Sequence, residues 1–209
     1  MLFNLLQSGP VYAIAFIVAI ALGISVHEFG HALAGYLMGD MTAKDEGRLT
    51  LNPLAHLDPM GSIMLLLAGF GWGKPTPYNP YNLKYQKWGP AIISIAGPLS
   101  NLSVLVLSVI AVKILYPILG EANFLIIFLG VLLAINLMLM IFNLIPIPPL
   151  DGAQLLFTFL PPRFDQFKQF LLQNGMMLLF GLILLDNFTN INIFSRIFEF
   201  FFSLLGRIV

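Results

Sequence analysis

The sequence predicts an all-α fold of the polytopic membrane kind: a transmembrane helical bundle with a three-helix catalytic core, a re-entrant or interfacial segment and one helix broken by prolines. Three observations predict the membrane class. Hydrophobic residues fill 58% of the 209 positions and charged residues only 10%, far from an ordinary soluble composition. The mean hydropathy is +0.90. The apolar residues also come in long blocks, where a soluble core would space them at helical or strand periods. Residues 1–209 read as one integral membrane domain, with a core over about 11–160 and a C-terminal helical hairpin over about 174–205.

Val11 to Gly39 is apolar apart from His27, Glu28 and His31, and about 20 such residues cross a bilayer, so this is the first span. It lacks a Lys/Arg-rich start and a small-residue cleavage site and is too long for a signal core, so it is expected to be retained. Asp40 to Pro59 is the most polar stretch and reads as a surface loop, with turns at Asn52-Pro53 and Asp58-Pro59. Gly61 to Phe70 is apolar but too short to span, and the Gly/Pro-rich Gly71 to Pro80 follows, which suits a re-entrant or interfacial element. Pro90 to Tyr116 and Phe124 to Ile145 are each long enough to cross, and Pro146, Pro148 and Pro149 break the second of them. Asp151 to Leu160 resumes an apolar pattern, Arg163 to Lys168 is a polar turn, and Met176 to Leu185 with Ile193 to Leu205 makes the hairpin. No repeat appears, so solenoids and inverted-repeat transporters gain no support.

If residues 61–70 do not cross, Lys44, Arg48, Lys74, Lys84, Lys87, Arg163 and Lys168 share one side, and the loop near Glu121 has no basic residue. That side is expected to be cytoplasmic, in a multi-pass protein of a prokaryotic plasma membrane. Lys+Arg and Asp+Glu both number 10, with no dense basic run, which sets nucleic acid aside as a partner and leaves the lipid bilayer. Cysteine is absent, so any metal must use His, Asp or Glu.

His27-Glu28-Phe29-Gly30-His31 is an HExxH pattern. Its i, i+4 spacing puts two imidazoles on one helix face, with the Glu beside a bound metal as general base. Three polar groups within five positions of a span each cost at least about 2.5 kcal/mol at mid-membrane, and a shared divalent metal is the simplest way to repay that. The competing reading is a tilted helix whose polar cluster snorkels to water near Asp40. A catalytic zinc takes three protein ligands, so a third must come from elsewhere. The remaining histidine is His56; Asp151 is the better candidate, because it follows the proline-broken helix, where exposed backbone needs a polar pocket. Asp151 could equally cap the helix that begins at Gly152.

HEFGH in an early span, Gly97-Pro98-Leu99-Ser100-Asn101 in the next and Asn143 to Gly152 in the third resemble the site-2 protease family of intramembrane zinc metalloproteases. Asn52 to Pro59 and Gly73 to Pro80 look like its short members, and the resemblance covers roughly residues 20–155. It implies a three-span core, one Zn2+ held by His27, His31 and Asp151, Glu28 as catalytic base, and transmembrane proteins as substrates. The sequence departs from larger members in showing no clear span before the HExxH helix and no inserted peptide-binding or nucleotide-binding domain, so regulation by such domains is not implied.

Three further residues are substrate-binding or transition-state candidates. Asn143 could donate to a developing oxyanion or cap the broken helix; Asn101 could bond across helices or to an extended substrate; His56 could be a donor, a second-sphere group or a pH-sensitive gate, or simply exposed. Gly30, Gly35 and Gly39 are expected to let helices approach closely. The Gly/Pro-rich segment could offer a strand edge to an unwound substrate. The main alternative is a non-proteolytic membrane metal-binding protein or transporter built on the same four polar residues; an inactive scaffold is disfavoured because every group the chemistry needs is present.

Overall fold

The computed structural model describes residues 9–68, 71–188 and 192–206. Helix α1 (Pro10–Leu37) begins with a proline in its first turn, where a missing N–H breaks no helical bond. The chain then turns at Gly39, whose φ of +98° favours a residue without Cβ. A connecting region carries α2 (Thr42–Asp45), a 3-10 turn at Pro53–Ala55 and α3 (Pro59–Ala68), then runs through a second 3-10 turn at Pro80–Asn82. Two long helices follow, α4 (Gly89–Leu119) and α5 (Phe124–Asn143), joined by a turn at Gly120, with Asn123 capping α5 through the Leu125 N–H.

Helices α1, α4 and α5 pack pairwise and form the three-helix core. Each is long and apolar enough to cross a membrane, as is the stretch Pro162–Asp186. Burial is inverted relative to a soluble protein: Ser25, Asn101, Ser108 and Asn136 are buried, while Ile14, Ile17, Leu107, Ile110 and Ile114 point outward. Lipid solvates the apolar faces, and the polar groups find partners inside the bundle. Gly30 does set a close approach, since a Cβ there would lie 2.8 Å from the Ala96 carbonyl of α4. Gly35 does not, because a Cβ would meet only Ile93 at an ordinary 3.8 Å, and Gly39 serves the turn. The α1–α5 contact instead uses Gly23, where a Cβ would be 2.8 Å from Leu139.

Asp40 to Pro59 is more structured than a surface loop: Asp40, Arg48 and His56 are all buried in it. Its polar side chains turn inward to bind backbone, so local hydrophilicity alone misplaces them. Residues 69 and 70 of the short apolar segment lie outside the described residues, but the chain on either side doubles back. Trp72 closes against Gly61, where a Cβ would be 2.9 Å from the Trp72 nitrogen, and Leu57 bridges Gly73 antiparallel. Among the described residues this is the one extended pairing.

Helix α5 stops at Asn143, and residues 144–150 form a run of turns held by their own bonds, Leu144 N–H to Ile141 O, Ile145 N–H to Phe142 O and Leu150 N–H to Ile147 O. Helix α6 (Asp151–Phe159) starts directly after it, and Gly152 is obligatory there, since a Cβ would lie 2.6 Å from the Ile145 carbonyl oxygen. The C-terminal hairpin begins earlier than its hydropathy indicates. Arg163 lies in a 3-10 turn (Pro162–Phe164), and Asp165 to Lys168 are already helical in α7 (Asp165–Phe188), which therefore starts at Asp165 and not near residue 174. Asp165 and Lys168 pair at 3.1 Å in its first turn, and Leu171 and Leu179 are buried further along, so the polar residues are the start of a helix whose apolar part follows. Helix α8 (Ile193–Gly206) lays Phe201, Phe202 and Leu205 against Leu105, Leu133 and Leu137 of the core, and Asp186 accepts the Ile193 and Phe194 N–H groups at its start.

Candidate metal centre

The i, i+4 spacing on α1 sets His27 and His31 on one buried face, with their rings edge to face and 4.6 Å between centroids. That face looks at α4 where Gly97 leaves room. A Cβ at Gly97 would lie 2.5 Å from His31 Cε1 and Nε2 and 2.8 Å from His27 Cε1. The proline-broken segment then brings Asp151 to the same point. His27 Nε2 and His31 Nε2 are 3.0 Å apart, and Asp151 Oδ2 lies 3.0 Å from the first and 3.2 Å from the second. Asp151 stands at the first position of α6, and its carboxylate is turned to the histidines.

The protons of both rings can be placed by following the donors. The Leu132 carbonyl can only accept, so the Asn136 amide nitrogen faces it at 2.8 Å and Asn136 Oδ1 faces Asn101. Asn101 Nδ2 donates to that oxygen at 2.8 Å and to the Gly23 carbonyl at 3.0 Å, which leaves Asn101 Oδ1 to accept from His27 Nδ1 at 2.6 Å. His31 Nδ1 donates to the Ile93 carbonyl at 2.7 Å. Both Nδ1 atoms therefore carry a proton, and both Nε2 atoms turn towards Asp151, placed to offer a lone pair to a bound metal. Asp151 Oδ2 is buried without a hydrogen bond of its own.

Three electron-pair donors thus converge within 3.2 Å. A shared proton satisfies one pair of them; a divalent cation satisfies all three. With bonds of about 2.0–2.1 Å, tetrahedral zinc separates its ligands by about 3.3–3.4 Å, close to this spacing, and two imidazoles with one carboxylate are a zinc donor set. The residues fit the ion.

Glu28 points away from the Asn101 chain. Its Oε2 accepts the Thr76 N–H at 2.9 Å, and the Thr76 hydroxyl donates to the Glu28 carbonyl at 3.2 Å. Tyr78, two residues on, also lies towards the site: burial, and then the Asp151 charge, push its hydroxyl pKa up.

The remaining sequence candidates separate. Asn101 is fully buried and joins the centre through His27. Asn143 is not brought to it by any hydrogen bond; its amide donates to its own helix at Leu139 O, 3.0 Å away. His56 is fully buried, which removes the exposed reading, and its Nε2 donates to Thr50 O at 2.7 Å while Nδ1 has no partner. The sequence reading passed over Asn136, Thr76 and the room made by Gly97. Asn136 had a signal, an amide in an otherwise apolar run, which in lipid demands a partner. Thr76 had none.

A family model described as Peptidase family M50 matches residues 112–182, a stretch that includes Asp151. The chain is 38% identical over 151 residues to YwhC of Bacillus subtilis, covering 70% of this chain and 69% of that one. It is 35% identical over 166 residues to Rip2 of Mycolicibacterium smegmatis and 32% over 161 residues to Rip2 of Mycobacterium tuberculosis, covering 73% of this chain each time. It spans 61% of the length of either Rip2. All three relatives are named as candidate zinc metalloproteases. No solved structure matches the chain at the significance required of a match.

Proposed function

Since the chain belongs to peptidase family M50, we propose that it is an intramembrane zinc metalloprotease that cleaves peptide bonds in or beside transmembrane segments, with His27, His31 and Asp151 as ligands and Glu28 as general base. The observation that carries the ligand set is the convergence of two Nε2 atoms, on rings whose Nδ1 atoms are already engaged, with a carboxylate oxygen that has no other partner. Bound there, zinc supplies Lewis-acid polarisation of the scissile carbonyl and a water acidified to near neutrality.

The chain's own residues do the rest. With Oε2 occupied by Thr76, Glu28 has Oε1 to take the proton of the attacking water and hand it to the leaving amine. The three-helix core keeps bulk water from the ligands, because large apolar side chains face outward and the polar interior is bonded to itself. A substrate helix has its scissile amide tied in internal hydrogen bonds and must unwind, and the extended stretch from Gly73 offers backbone against which it can lie. The location proposed is a bacterial cell membrane crossed several times, in keeping with four membrane-capable helices and bacterial relatives.

Glu28→Gln tests the reading. Purified in detergent and given a model transmembrane substrate, the variant should hold zinc at the wild-type ratio and lose about 10²–10⁴-fold in turnover. A variant that still cleaves rejects Glu28 as the base. Zinc uptake into vesicles that survives the substitution, with no cleavage by the wild type, favours a metal transporter.

A further inference from the structure

We infer that residues 74–79 form a clamp that fixes the Glu28 carboxylate, and that Arg48 and Asp40 are the positioning residues holding that clamp in place. The inference rests on Glu28 being the general base.

The clamp segment cannot hold its own shape. Pro75, Pro77 and Pro80 supply no N–H, and the stretch begins at a single bridge, continued by the Lys74 N–H to the His56 carbonyl at 2.7 Å. Its order comes from two charged side chains outside it. Arg48 is 3% exposed, and its guanidinium donates to the carbonyls of Ala55, Lys74 and Pro75, the last at 3.3 Å. Asp40 is 1% exposed and accepts the Asn79 N–H at 2.8 Å and the Asn82 amide at 3.1 Å, along with the Thr42 N–H and hydroxyl. One therefore holds the segment just before Thr76 and the other just after it.

Neither charge has an ionic partner among the described residues. Taking an unpaired charge out of water is costly, and a fold keeps such a charge where the atoms it binds need a fixed place. What lies between the two anchors is Thr76, with its two bonds to Glu28. The N–H bond stops the carboxylate from rotating and leaves Oε1 as the reactive oxygen. Gly73 sits beside that oxygen: a Cβ there would be 3.9 Å from Oε1, but also 3.0 Å from Ile24 and 3.1 Å from the His56 carbonyl, so a side chain would press on both. The base is thus held in one orientation before substrate arrives, which is the condition for efficient proton transfer.

The test uses the zinc-loaded full chain with a model transmembrane substrate, together with hydrogen exchange of peptides covering residues 71–80. Thr76→Pro removes the N–H; Arg48→Met loosens the clamp without touching Glu28. Both should lower kcat about 10- to 100-fold with KM and zinc content unchanged. The Thr76 region should exchange slowly in the wild type and quickly in Arg48→Met. Wild-type kcat in both disruptive variants overturns the clamp, and so does a raised kcat, which would make the segment a cover. Loss of zinc in step with kcat also overturns it, by assigning Arg48 to the fold. Fast exchange in the wild type overturns it whatever the kinetics. If the wild type protects this segment through Arg48 yet cleaves nothing, the clamp stands and the protease reading fails.

Discussion

His27 and Glu28 are neighbours in the chain and are supported in opposite ways. The histidine side is held by side chains reaching between helices: Asn101 of α4 fixes the ring, and Asn136 of α5 fixes Asn101. The glutamate side is held by the backbone of a connecting segment, Thr76, anchored by Arg48 and Asp40. In the dry core an amide has no water to compete for it, so three linked hydrogen bonds define one tautomer and one ring orientation. At the edge of the core, a loop has to be tied down by buried charges to reach comparable order. Metal affinity should therefore answer to the helix side and turnover to the loop side.

The strongest way to break that comparison is on the helix side. Gly97→Ala puts a methyl 2.5 Å from His31 Nε2, and the backbone of α4 cannot move it away without parting from α1. Zinc content should fall below about one-tenth of wild type, with cleavage lost in proportion, because both imidazoles are displaced from their common point. Gly35→Ala, where a Cβ meets only Ile93 at 3.8 Å, is the matched control and should keep its zinc. Metal analysis of the two purified variants decides it; full zinc in Gly97→Ala would mean the ligands are looser than drawn.

A smaller effect sharpens the comparison. Asn101→Leu removes the acceptor of the His27 proton, and loss of such a partner weakens metal binding by about 10- to 100-fold. Asn136→Leu should weaken it less, because Asn101 keeps its bond to the Gly23 carbonyl. The two effects should not add, since both act through one chain of bonds. Chelator competition on the single and double variants measures this, and additive losses would remove Asn136 from the chain.

That the polar residues of the helix side would converge was largely legible from residues alone, and the reason is physical. In a span, every polar side chain is an exception that needs a partner, so His27, Glu28, His31 and Asn101 stand out from their surroundings, as Asp151 does beside the prolines. Spans α1, α4 and α5 were legible for the same reason, since length and hydropathy are enough in lipid. Asn143 stood out equally and yet bonds to its own helix, because an amide at a helix end has a nearby carbonyl to use. The loop side was hidden. Arg48 and Asp40 sit among Lys44, Asp45 and Glu46, where charge is ordinary, and only the three-dimensional path shows that these two are buried. Counted by sequence, Arg48 is a marker of the cytoplasmic side; in the fold it is an internal fastener. The start of α7 was missed because a helix whose first turn is polar reads as a loop when only hydropathy is followed.

The smallest expected effect lies at the far anchor of the loop side and has a definite sign. Burial alone would raise the Asp40 pKa, but the bonds from Thr42, Asn79 and Asn82 outweigh it and hold the carboxyl below its ordinary value. A carboxyl lowered in the folded state contributes stability that is present above its unfolded pKa of about 3.9 and is lost as pH falls through the lower folded value. Asp40→Asn leaves one oxygen where two accept four donors, so the variant should lose about 1–3 kcal/mol at neutral pH. Thermal inactivation midpoints of wild type and variant, compared at pH 7 and then stepped down towards pH 3, should converge as the wild-type carboxylate is protonated. A gap of constant size across that range would mean that the carboxylate charge contributes nothing to the anchor, and that the neutral amide loses stability through its shape alone.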